Sequence, residues 1–82
     1  AQAFLGRLFS ESCKAPIGVL GPTRNGRPAA IKAAIGAWRG VVASRHGRRF
    51  ADWGYSGDRQ FDCAWDRSGR RYTCRAIASP CG

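Results

Sequence analysis

The chain contains no methionine, one histidine, two lysines and five acidic residues among its 82 positions. Each scarcity removes something. The lack of methionine is read as loss of the initiator, with removal of a leader ahead of Ala1 or simple trimming as the two expectations. Ala1-Gln2-Ala3 has the small side chains of a secretory cleavage site, so export to the periplasm or the medium is the expectation. His46 stands alone, and no spacing ties it to Asp52, Asp58 or Glu11 as an orienting carboxylate. No catalytic residue is assigned, no cofactor is implied, and a non-enzymatic protein is expected. The cysteines lie at 13, 63, 74 and 81, without the closely spaced pair that structural zinc sites use, which argues against a metal centre. No apolar run approaches the ~20 residues of a membrane-spanning helix.

Arginine and cysteine are what the chain has in excess. A chain of 82 residues makes one small domain. At that size only ~60% of the unfolded surface is buried, and covalent staples are common. Four cysteines in so short a chain supply them and point to an oxidising compartment. The formal charge is +9, and 12 of the 14 basic residues are arginine. Guanidinium forks suit phosphate and carboxylate, but a GC-rich genome raises Arg, Ala and Gly together and is the favoured account of the ratio. Whatever its origin, the charge attracts polyanions at low salt. Arg48, Arg49, Arg67, Arg70 and Arg71 are the candidates for weak, sequence-independent contacts of that kind.

Residues 1–27 read as an irregular arm, and 28–82 as an α+β domain. Phe4, Leu5, Leu8 and Phe9 suit one helical turn or two, broken by Ser10 and Ser12. Pro16, Gly18, Gly21, Pro22, Asn25-Gly26 and Pro28 then forbid a long helix. Ile17, Val19 and Leu20 make either a short edge strand or a cover over the core. Pro28 opens a helix that Gly47 closes, giving a span of about 28–46. Ile31, Ala34, Ile35, Trp38, Val41 and Val42 form its core-facing stripe, with Ile31, Ile35, Trp38 and Val42 buried. Beside the stripe Ala29, Ala33, Gly36, Gly40 and Ala43 make a row of very small side chains. Gly36 and Gly40 each cost ~1 kcal/mol inside a helix, so a close neighbour is expected there: a strand, the arm or a partner protein.

After Gly47 the period changes to two. Phe61, Cys63 and Trp65 alternate with polar residues, as do Tyr72, Cys74 and Ala76, which is a hairpin with one apolar face. Setting Cys63 opposite Cys74 pairs Trp65 with Tyr72, Phe61 with Ala76, Asp62 with Arg75 and Asp66 with Arg71. A slip of one residue would oppose apolar to charged side chains throughout. Arg67-Ser68-Gly69-Arg70 is left as the loop, with Gly69 suited to a positive φ. The register makes Cys63–Cys74 a disulfide, and Cys13–Cys81 follows by elimination. The rival has Cys63 and Cys74 each reaching outward, one to Cys13 and the other to Cys81. Residues 50–55 read as a third strand that brings Trp53 beside Phe61, with a short helix as the alternative.

Two resemblances bear on this reading. Ala37-Trp38, Val42, His46-Gly47, Phe50, Trp53, Cys63, Cys74 and Pro80-Cys81 resemble the pattern of small uncharacterised exported proteins of Gram-negative bacteria, over residues 29–82. That resemblance implies a periplasmic, disulfide-containing domain and supplies no activity. One helix followed by an antiparallel meander also resembles much of the double-stranded RNA-binding fold. The second helix and basic cluster of that family are not matched here. The expectation is therefore an exported interaction module with a protein partner, Ala33, Gly36 and Gly40 being candidate partner-facing residues. A cationic binder of nucleic acid, anionic lipid or lipopolysaccharide is the alternative, and a small nuclease-like enzyme a distant third.

Overall fold

Proline at the start and glycine at the end bracket a single long helix. In the computed structural model, which describes residues 13–82, this helix (α1) runs Arg27–His46, with Pro28 in its first turn. Gly47 ends it at φ 99° and ψ 162°, a conformation almost closed to other residues, while its N–H still donates to the Ala43 carbonyl. The helical turn expected at Phe4–Phe9, and Glu11, lie outside the described residues.

Among the described residues three strands form one antiparallel sheet: β1 (Ile17–Leu20), β2 (Gly57–Asp66) and β3 (Arg71–Ser79), in the order β1-β3-β2. The fold is α+β, one helix packed on a small antiparallel sheet. The hairpin register is the one that the side-chain chemistry requires, with Cys63 opposite Cys74, Trp65 opposite Tyr72, Asp62 opposite Arg75 and Asp66 opposite Arg71. Both disulfides follow, Cys63–Cys74 and Cys13–Cys81. The third strand, however, comes from before the helix. β1 pairs with β3 from Ile17↔Ala78 to Leu20↔Arg75, so residues 17–20 are the edge strand rather than a loose cover.

Residues 50–55 are not a strand. One 3-10 turn, Arg48–Phe50, ends at the start of the segment, and a second, Trp53–Tyr55, closes it. The Asp52 carboxylate accepts from the Gly54 N–H at 3.0 Å, and the Ser56 hydroxyl donates to the Trp53 carbonyl. These local bonds satisfy backbone groups that a strand would have offered to a neighbour. Trp53 nevertheless reaches the core side of Phe61, with ring centroids 5.4 Å apart. In the hairpin loop the left-handed residue is Arg70, at φ 51°, and not Gly69. Asp66 accepts from both the N–H and the hydroxyl of Ser68, which starts a turn that places its left-handed position at residue 70.

The buried line of α1 is Ala30, Ala34, Trp38 and Val42. Ile31 and Ile35, expected to be buried, are only half-buried and flank it. The reason is a close approach at the end of β1. A Cβ built on Gly21 would lie 2.5 Å from the Ala34 Cα, so the helix axis passes where only alanine fits beneath it. Trp38 fills the space beside this contact. It is fully buried, donates from Nε1 to the Ile17 carbonyl at 3.1 Å, and meets Trp53 edge-to-face at 5.0 Å.

This contact gives a paired test. Gly21→Ala is expected to lose ~1–3 kcal/mol through overpacking. Gly36→Ala, where nothing stands within 4 Å of an added Cβ, is expected to gain up to ~1 kcal/mol from helix propensity. Urea denaturation of the two variants gives both signs.

Candidate functional site

The width of a helix limits how much sheet it can cover. A helix with its side chains is ~10–12 Å across and strands lie ~4.8 Å apart, so one helix covers about two strands. Here α1 lies over β1 and β3 and barely reaches β2. The inner face of β2 is consequently left open. Trp65 is 54% exposed and Phe61 38%, with Cys63 half-buried between them. Tyr72, its ring 6.4 Å from that of Trp65, and Trp53 border this strip without closing it.

Among the described residues the backbone of β2 is open along the same stretch. The Cys74 carbonyl accepts from the Gly21 N–H at 2.9 Å, and Tyr72 exchanges both backbone bonds with Arg24 at 2.9 and 2.7 Å. The even-numbered residues of β3 therefore direct their backbone groups toward β1. Opposite them, Phe61, Cys63 and Trp65 point their N–H and C=O groups away from β3, out of the sheet edge. The Cα separation of 4.0 Å between Cys63 and Cys74 is that of a non-hydrogen-bonded pair, as this pattern requires. Asp62 and Ala64 carry the ladder to β3 instead. The side chains of the open strip and the backbone of the open edge thus belong to the same three residues.

The charge of β2 is unlike that of the rest of the chain. It holds Asp58, Asp62 and Asp66, three of the five acidic residues of a +9 protein, against Arg59 alone. Asp62 and Asp66 stand on the outer face of the sheet. Hydrogen bonds from Ser68, with a smaller contribution from the positive charge of Arg71, hold the Asp66 carboxyl below its ordinary pKa. The start of the strand is bulged between Gly57 and Gln60, with Asp58 at φ 53°. A bulge and outward carboxylates are devices that keep a free edge from indiscriminate pairing.

The five candidate polyanion contacts are not one patch. Arg67, Arg70 and Arg71 sit at the hairpin tip, where the Arg24↔Tyr72 bridge also brings Arg24 and, at the start of α1, Arg27. Arg48 and Arg49 follow the other end of a 20-residue helix, ~30 Å away. There Arg49 and Lys14 stack on the Phe50 ring at 5.3 and 5.0 Å. Sequence reasoning missed Arg24 and Arg27, because only the β1–β3 pairing carries them to the tip.

The small-residue flank of α1 is open as well. Ala33 is half-buried, Gly36 and Gly40 are exposed, and among the described residues nothing lies within 4 Å of a Cβ placed at either glycine. The close neighbour expected from the sequence touches the helix at Ala34 instead. His46 lies edge-on to Phe50 at 6.0 Å and makes no hydrogen bond to Asp52 or Asp58. Among the described residues no three His, Cys, Asp or Glu side chains gather as a metal would need, no pocket forms, and no helix is long and apolar enough to cross a membrane. Comparison with protein-family models, curated proteins and solved structures returns no match to this chain.

Proposed function

We propose that this chain is a small exported interaction module, without catalytic activity, that binds a polypeptide through β2 as an accessory subunit of an envelope complex. The observation that carries the reading is the coincidence on one strand of an exposed aromatic strip and a backbone edge that has no partner among the described residues. Extended chains dock on such edges by adding a strand, with backbone bonds supplying affinity and alternate side chains supplying selectivity. Two disulfides support an oxidising compartment, periplasmic or extracellular. A photo-reactive amino acid in place of Trp65, in cells that make the protein, tests the reading. A discrete protein adduct from position 65, absent when the probe replaces Lys32 on the helix, is expected. Equal labelling from the two positions, or none from 65, would refute it.

A second reading rests on the tip. Arg24, Arg27, Arg67, Arg70 and Arg71 at one end of the fold suit a phosphate- or sulfate-bearing polymer, bound without sequence preference. Retention on heparin is expected to fall steeply between low and physiological salt. Replacing Arg67, Arg70 and Arg71 by alanine should weaken it and flatten its salt dependence. Binding that ignores salt, or is absent at low salt, would rule this reading out.

A further inference from the structure

We infer that β2 pairs with β2 of a second copy of this chain, antiparallel, about a two-fold axis at Cys63. The inference rests on the reading of β2 as an interaction surface and names the partner that its residue order fits. Beyond the bulge the regular part of the strand is Gln60–Asp66, and Cys63 is its midpoint. Within that regular stretch it is Phe61, Cys63 and Trp65 that present backbone groups at the edge, so a symmetric pairing must bond odd-numbered residues to odd-numbered residues.

Few registers meet that condition. With the axis at residue 62, Asp62 opposes its own copy. With the axis at 64, Asp62 opposes Asp66. Each sets carboxylates side by side on the outer face, which is destabilising. With the axis at 61 or 65 the pairing runs into the bulge or past the strand end, and most of the edge is unused. The axis at Cys63 uses all seven regular residues. On the inner face it lays Phe61 of each copy against Trp65 of the other. On the outer face Asp62 meets Ala64, and Gln60 meets Asp66, to whose carboxylate its amide can donate.

Aromatic pairs of this kind are among the more stabilising cross-strand contacts, and the two sheets become one of six strands. Arg59 and Arg67 flank the pairing at both ends and oppose each other across it. With +9 on each copy, they make the association one that salt strengthens. Polyanion binding at the arginine tip has the opposite salt dependence.

Sedimentation equilibrium of the oxidised protein, from micromolar to millimolar concentration and at two ionic strengths, tests the inference. A monomer–dimer equilibrium that tightens with salt is expected. Ala64 supplies the register-specific readout, because it is exposed and faces Asp62 of the other copy. Ala64→Lys raises the net charge, so general repulsion would weaken the dimer, yet the register predicts a tighter one. Ala64→Asp lowers the net charge, yet the register predicts a weaker one. Each change in Kd should be roughly two- to thirtyfold, since two symmetry-related pairs each carry a modest cross-strand charge contact. A monomer at every concentration, or a dimer whose Ala64 variants follow net charge instead, overturns the inference. A heterologous adduct at position 65 from a strictly monomeric protein would leave the proposed function standing without it.

Discussion

Trp38→Ala is expected to be the most damaging single change in the helix, at ~3–5 kcal/mol. The side chain is fully buried and sits at the one place where α1, β1 and the Trp53 turn meet. Truncation removes three things at once: the largest apolar volume of the core, the Nε1–H bond to Ile17, and the edge-to-face partner of Trp53. The backbone around it has little freedom to collapse, because Gly21 already touches Ala34. Domains are stable by only ~5–15 kcal/mol in total, so a loss of this size removes a large part of the stability. Equilibrium denaturation measures the loss, and Trp65→Ala is the natural contrast. Trp65 is half-exposed, and its removal should cost far less in the monomer. Equal losses from the two tryptophans would contradict the core as described.

Removing the Cys13–Cys81 bridge is the second large effect. The linked residues are 68 apart in sequence, so the crosslink closes nearly the whole chain into a loop. On the chain-entropy model this is worth ~4 kcal/mol, against ~3 kcal/mol for the hairpin bridge, whose residues are 11 apart. Replacing Cys13 and Cys81 together by alanine should lower the denaturation midpoint strongly. It should also steepen the denaturant dependence, because the unfolded chain expands when its closure is lost. A midpoint within experimental scatter of the parent would show that the bridge does not carry the stability assigned to it.

Much of this fold is legible in the sequence wherever local chemistry is over-determined. The hairpin is the clearest case: five side-chain pairings agree on one register, and the structure adopts it. The helix limits are equally readable, since Pro28 and Gly47 each have one suitable place. The 50–55 segment was not legible, because Asp52 and Ser56 make local bonds whose strength an alternating apolar pattern does not reveal. The depth of Ile31 and Ile35 is not legible for a different reason. It is set by the contact of Gly21 with Ala34, between residues 13 positions apart, and no helical periodicity encodes that. The open strip on β2 was hidden too, since alternation marks Trp65 as inward-facing without saying whether anything lies over it. The number of elements was the signal: one helix cannot cover three strands.

The central claim is that β2 offers both its aromatic side chains and its backbone to a partner. Residue-resolved amide exchange on dilute, oxidised protein tests it most directly. Asp62 and Ala64 donate to β3 and should exchange slowly, while Phe61, Cys63 and Trp65, between and beside them on the same strand, should exchange as free edge amides. That alternation is the predicted result. Equal protection across residues 61–65 in the monomer would mean that the edge is already occupied within the chain, and would contradict the account.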